Sequence, residues 1–288
     1  MGLFDKIKSA FSSRTDISKR FARQRKSISG TMSEFFMARD IKSGDLVGLK
    51  ILDPEKTAAF EARFPGLEKP SEGEISMLMQ HPRIVETYEY GLTTDGRQYL
   101  VMEFLDGTDM NSLIIGKDER LNGNRLTLLR QSAEAVAYVH SMGFIHRDIC
   151  PRNLFVSPDG TSLKLTDFGL TIPATKPFMQ PGNRTGTVNY MAPELARRRE
   201  TDRRVDVFAL GVTSYELVTG ELPWPHGDTG LAALTHDTPP TDIREVRPNI
   251  SPIVANAIMQ CIEPNVSKRC ESIEQYMQRL RAARTLDE

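Results

Sequence analysis

Two carboxylates, an amide and a lysine stand in contexts that give them chemistry. His146-Arg147-Asp148 is followed five positions after the aspartate by Asn153. Thr166-Asp167-Phe168-Gly169 comes next, and Met191-Ala192-Pro193-Glu194 lies beyond it. Asn153 offers a carbonyl oxygen and Asp167 a carboxylate, the donors that a hard cation such as magnesium takes. Asp148 could accept or orient the proton of a hydroxyl. Lys50, in Val47-Gly48-Leu49-Lys50, is a cation suited to phosphate oxygens, and Glu72 could pin it by an ion pair. A satisfied surface turn would account for any one of these motifs alone. Three in this order argue for a working site.

The elements that must hold these residues fall into two regions. From about residue 27 to 105 the chain reads as short strands with one helix. Strands are expected at 47–52 and 98–104, and a helix at 72–79, started by Pro70-Ser71. Beyond Asp106-Gly107 apolar residues recur at helical spacing, over 125–142, 205–219, 252–261 and 272–284, with Gly143 and Gly220 as stop signals. Strands followed by helices, with no internal repeat, favour an α+β fold of a small strand-rich part and a larger helical part.

Hydrophobic residues make up 39% and charged residues 26% of the 288 residues, as in an ordinary globular protein. The net charge of −1 argues against nucleic-acid binding as the chain's main business. Cys150, Cys261 and Cys270 form no metal-binding pair, and an odd count suits a reducing compartment. No apolar run is long enough to cross a bilayer and no signal peptide opens the sequence, so a cytoplasmic location is expected. The balanced total hides an asymmetry: residues 1–30 hold eight basic side chains against two acidic ones, with Leu3, Phe4, Ile7 and Phe11 at helical spacing. Residues 1–26 are therefore a candidate for peripheral contact with an anionic membrane surface, against packing on the body or disorder.

These three motifs, in this order and separation, resemble the catalytic loop, the magnesium-binding triplet and the end of the activation segment of protein kinases, and the sequence looks closest to the small bacterial Ser/Thr kinases. The resemblance implies the bilobal kinase fold over residues 24–285. A β-rich N-lobe would cover about 24–104 and a helical C-lobe about 107–285, behind a basic extension at 1–23. It implies transfer of the γ-phosphoryl group of ATP, with Mg2+, to a Ser or Thr hydroxyl of a protein substrate. Asp148 would be the base, Asn153 and Asp167 the metal ligands, and Lys50 the lysine on the α- and β-phosphates. Glu72 would pair with Lys50, with Glu74 as its rival. Glu103 and Leu105, after Met102, would form the hinge beside adenine, and Phe155 would pack under it. Ile28, Gly30 and Ser33 fall where the phosphate-covering loop has its three glycines. The resemblance also places Asp206 as the anchor of the catalytic loop and Arg269 as the partner of Glu194.

Several positions depart from the family pattern. Only Gly30 survives of the three glycines, which stiffens the loop. Gly48 replaces the usual alanine and should leave more room over the adenine. Cys150 stands where Ser/Thr kinases carry lysine, while Arg152 is placed as in many tyrosine kinases and becomes a candidate catalytic cation. Gly186-Thr187-Val188-Asn189-Tyr190 matches the Ser/Thr form of the acceptor pocket. Of the threonines in the activation segment, Thr185 beside Arg184 is the expected site of a regulatory phosphate. A weakly active or inactive nucleotide-binding scaffold is the alternative these departures keep open, and a small-molecule phosphotransferase is a third. The sequence does not set the oligomeric state.

Overall fold

The computed structural model describes residues 14–26, 33–224 and 232–287. Leu3, Phe4, Ile7 and Phe11, and with them Ile28 and Gly30, lie outside the described residues. The chain divides into two compact units, Met1–Leu105 and Asp106–Glu288. Among the described residues no helix is long and apolar enough to cross a membrane.

The first unit is built on a six-stranded sheet. Its elements are β1 (Arg14–Thr15), α1 (Ile17–Arg20), β2 (Phe21–Lys26), β3 (Ser33–Asp40), β4 (Leu46–Leu52), α2 (Pro54–Glu61), α3 (Glu72–Leu78), β5 (Thr87–Thr93) and β6 (Gln98–Glu103). The sheet order is β1-β5-β6-β4-β3-β2, antiparallel throughout except for the parallel pair β1 and β5. β4 pairs along both edges, with β6 and β3, and Val47 to Leu52 are buried on both faces of the strand, which is why this run is almost all apolar. Ile17 and Phe21 are buried with Phe36, Ala38, Val47, Leu49, Ile51, Tyr99 and Val101. The boundary expected at residue 24 therefore cuts through β2, and residues 14–23 supply part of this core. Two of the basic residues assigned to a membrane-facing set are occupied here: Arg20 binds Asp40 and Glu89, and Arg23 lies over the Phe36 ring, 4.4 Å from its centroid.

The first unit holds two helices that the periodicity did not reveal. α1 is a single turn capped by Asp16. α2 has Asp53 as its cap and Pro54 in the first position, and Asp53 Oδ1 accepts from the amides of Glu55 and Lys56 at 3.0 and 3.2 Å. Asp-Pro-Glu is a readable start signal. Beyond Phe60 the helix buries little, which left no apolar stripe to find.

The second unit is helical, with three short strand pairings. It runs through β7 (Thr108–Asp109), α4 (Met110–Ile115), α5 (Arg125–Ser141), β8 (Phe144–Ile145), β9 (Leu154–Val156), β10 (Leu163–Leu165) and β11 (Ile172–Pro173). Then come α6 (Pro193–Ala196), α7 (Arg204–Thr219), α8 (Ala232–Thr235), α9 (Ile243–Val246), α10 (Pro252–Cys261) and α11 (Ile273–Leu280). α7 is buried from Val205 to Val218 and packs against α5 and α10. α11 ends at Leu280, four residues earlier than expected, and Arg130 Nη2 donates to the carbonyls of Leu280 and Ala283 at 3.0 and 2.6 Å beyond the helix's own hydrogen bonds. All three cysteines are free and buried.

His236 sets an acid limit on this unit. Its ring packs on Trp224 and Phe208, and Nδ1 lies 2.8 Å from the Met191 carbonyl oxygen. Burial lowers its pKa, as it does that of the fully buried His146. Both imidazoles resist a proton that the unfolded chain accepts below pH of about 6.5. Their contribution is complete above that pH and is lost as pH falls. The thermal midpoint is thus expected to drop between pH 7 and pH 5, and His236→Gln, which can still donate to Met191, should flatten that drop. An equal drop in both proteins would remove His236 from the account.

Candidate active site

In the first unit, Lys50 and Glu72 are both buried, and Lys50 Nζ donates to Glu72 Oε1. Glu74 is engaged elsewhere. Ser71 caps α3, its hydroxyl accepting the Glu74 amide at 3.2 Å, while Glu74 Oε2 accepts the Ser71 amide at 2.7 Å. This reciprocal box takes the carboxylate of the third helical residue and leaves that of the first for the lysine. The Ser-x-x-Glu spacing that decides between the two glutamates is visible in the sequence.

Ser33 opens β3, opposite Leu52. Glu103 ends β6 opposite Val47, and its Oε1 accepts the Glu86 amide at 2.8 Å. Leu105 and Phe35 pack, partly buried, on the cluster of Leu52, Val85, Tyr90, Leu100 and Met102.

The room expected at Gly48 is filled. A Cβ placed there would stand 2.7 Å from Phe35 Cζ and 3.0 Å from Met102 Cγ. Phe35 is paired in register with Lys50, so a large ring here and a missing methyl at 48 fit one another. Gly48→Ala should destabilise the chain by about 1–3 kcal/mol through overpacking, and Phe35→Val in the same background should recover most of it. Urea unfolding of the three variants checks the coupling. Additive effects would mean that the ring does not occupy that space.

In the second unit, β8 pairs with β11, and the β9–β10 hairpin lies alongside β7. The first pairing brings His146-Arg147-Asp148 against the segment after Gly169. The hairpin brings Asn153 to Thr166, whose amide donates to the Asn153 carbonyl at 2.9 Å. Phe155 sits in β9 opposite Lys164 and Asp109.

Asp206, on α7 and fully buried, fixes the start of the loop. It accepts the amides of His146 at 2.7 Å and Arg147 at 2.8 Å, and its Oδ2 lies 2.9 Å from His140 Nε2. Burial works against its charge, but His140 and the loop amide outweigh burial and hold the carboxyl below its usual range. His140 is the supporting residue that no sequence motif disclosed. Arg147 takes a left-handed φ of 68°, and its carbonyl then faces Gly186, where a Cβ would meet that oxygen at 2.6 Å. Only glycine, here at φ 122°, lets the segment before Thr187 come this close.

The approach delivers Thr187 to Asp148. Asp148 Oδ1 accepts the Thr187 amide at 2.8 Å and its hydroxyl at 2.7 Å, while Oδ2 accepts Asn153 Nδ2 at 3.1 Å. Asn153 Nδ2 also donates to the Asp148 carbonyl at 2.8 Å. The amide's NH2 end is thus committed to Asp148, and its carbonyl oxygen is the end left for a cation. Asp167 stands at φ 63° with Oδ1 accepting the Gly169 amide at 3.1 Å. Among the described residues no group of three or more His, Cys, Asp or Glu could hold a metal ion. An amide and a carboxylate suit magnesium, which binds through one or two protein oxygens together with phosphates and water.

Cys150 is 2% exposed, and burial, aided by the Asp148 charge, pushes its thiol up to about 12. It is a neutral group 3.8 Å from the Thr187 hydroxyl. Arg152 is exposed, and no ion pair or hydrogen bond engages its guanidinium among the described residues. Thr185, the expected site of a regulatory phosphate, is buried with its hydroxyl unpartnered among the described residues, so a modifying enzyme would need the segment to open. Arg269, on a loop before α11, makes a bidentate pair with Glu194.

The protein kinase domain family matches residues 22–280. The chain is 31% identical to serine/threonine-protein kinase PknA of Mycobacterium tuberculosis, over 83% of this chain and 56% of that protein. It is 31% identical to a probable serine/threonine-protein kinase PknB of Lactococcus lactis, over 90% and 41%. It is 30% identical to serine/threonine-protein kinase pkn3 of Myxococcus xanthus, over 88% and 48%. The chain thus spans about half the length of these curated relatives. With a strand-built unit, a helical unit and the three motifs in order, the chain belongs to the protein kinase family.

Proposed function

We propose that the chain is an ATP- and magnesium-dependent kinase that phosphorylates Ser and Thr hydroxyls of proteins. The observation that carries this is the Asp148 carboxylate, held between the Thr187 hydroxyl and the Asn153 amide on a loop anchored by Asp206. A carboxylate already bonded to a threonine hydroxyl is one that can bind an acceptor hydroxyl. Asp148 receives the acceptor's proton as that oxygen bonds the γ-phosphorus and the bond to the leaving ADP breaks. Lys50, kept in place by Glu72, holds the α- and β-phosphates, and Asn153 and Asp167 hold the cation. ATP supplies the phosphoryl group, and magnesium neutralises charge on its oxygens. The test is mass spectrometry of the protein expressed with and without Asp148→Asn. Phosphoserine or phosphothreonine that disappears in the variant supports the reading. A chain that incorporates no phosphate into itself or any protein substrate would point to the scaffold alternative.

One observation favours that alternative, the uncharged Cys150 in the place of a lysine. Arg152 is our candidate for the missing cation, four residues after Asp148 and uncommitted. Losing a preorganised donor to a transferring phosphoryl group costs about 10²–10³ in rate. Arg152→Ala is therefore expected to lower turnover by about that factor, with a smaller loss when Cys150→Lys is also present. Unchanged turnover in Arg152→Ala would leave Arg152 as surface.

A further inference from the structure

A turn rich in arginine is sewn to the activation segment. The Gly182 amide donates to the Arg198 carbonyl at 3.1 Å and the Thr201 amide to the Met179 carbonyl at 3.0 Å, so residues 198–201 lie alongside residues 179–182. Arg198 itself takes a left-handed φ of 57°. Leu195, three residues earlier, lines the same small cavity as Asp148 and Thr187. Three residues span at most about 10 Å, so the turn borders the place where an acceptor hydroxyl would meet Asp148.

The charges here divide into spent and unspent. Arg197 is bound to Asp237 and Arg204 to Asp202. Arg203 has the Glu274 carboxylate within electrostatic reach. Glu194 is buried against Arg269, and Glu200, on the turn itself, is exposed. Arg198, Arg199 and, on the facing segment, Lys176 are exposed, and among the described residues none of them has a carboxylate partner. A chain of net charge −1 thus presents uncommitted cations beside its acceptor site.

Resting on the kinase reading above, we propose that this surface selects acidic protein segments. Preferred substrates carry aspartate or glutamate within about four residues of the Ser or Thr, since an extended peptide advances about 3.3 Å per residue. The contacts are solvent-exposed and screened, so they act as a selectivity filter and not as the main source of affinity.

The test is a peptide library with one central Ser or Thr and degenerate flanks, phosphorylated by the full chain with magnesium and ATP. Asp and Glu should be enriched within four positions of the acceptor. Arg198→Asn, which keeps a residue tolerant of left-handed φ, combined with Arg199→Ser should lower the acidic-to-neutral ratio of kcat/KM by about tenfold. Salt at about 0.5 M should lower the same ratio in the unmodified chain. Phosphorylation without acidic enrichment, or a ratio unmoved in the double variant, overturns the inference and leaves the kinase reading standing. Failure to phosphorylate any peptide or protein removes both. The profile of the unmodified chain decides on its own, so a variant that does not fold cannot rescue a flat profile.

Discussion

Asp148→Asn is expected to lower phosphate transfer by about 10²–10⁴-fold, the range a positioned base contributes. The geometry predicts more than the loss of a proton acceptor. Oδ1 of the new side chain still accepts from the Thr187 amide and hydroxyl, which fixes the amide's orientation. Its NH2 group then occupies the position of Oδ2 and faces Asn153 Nδ2, donor against donor. Asn153 must turn or move, and its carbonyl oxygen moves with it. The substitution therefore reaches the metal-ligand end as well as the acceptor end, and magnesium dependence should weaken along with turnover. Single-turnover transfer at several magnesium concentrations separates the two effects. Asp167→Ala, which removes a metal ligand outright and leaves Asp148 and its bond to Asn153 intact, should weaken the magnesium dependence at least as much. An Asp148→Asn rate within tenfold of the unmodified chain would sink the assignment of the base.

Arg269→Ala is expected to cost about 3–5 kcal/mol of folding stability, the range for removing one partner of a buried ion pair. The Arg269 side chain is fully buried. Beyond its two bonds to Glu194, at 2.6 and 3.0 Å, it donates to the carbonyls of Glu263, Arg204 and Pro264 and lies over the Phe208 ring. Alanine leaves a nearly buried carboxylate and three carbonyls without these donors. A typical domain has only about 5–15 kcal/mol to lose, so a large part of the margin goes. Replacing Glu194 as well, as Arg269→Leu with Glu194→Leu, should cost less than Arg269→Ala alone, because no charge is then stranded. Urea midpoints of both proteins test this. A loss below about 1 kcal/mol in Arg269→Ala would place the pair among exposed salt bridges.

What the sequence determined by itself is what short stretches of chain encode. The motifs around Asp148, Asp167 and Glu194 named a family before any contact was known. The helices at Arg125–Ser141 and Pro252–Cys261 followed from apolar spacing, and the start of the helix at Glu72 followed from Ser71. Periodicity and caps act within a few residues, so they survive without the fold. The tertiary structure decided the rest, because those properties belong to neighbours distant in sequence. The space at Gly48 depends on a ring thirteen residues away in the next strand. The charge state of Cys150 depends on burial by elements that no local pattern reveals. Residues 14–23 read as a basic extension because their charges are local, yet Ile17 and Phe21 are core because a sheet edge is there to receive them. Whether an arginine is spent or free was likewise undecidable from the run Arg197-Arg198-Arg199. Asp237 lies forty residues on, and only the fold brings it to the first of the three.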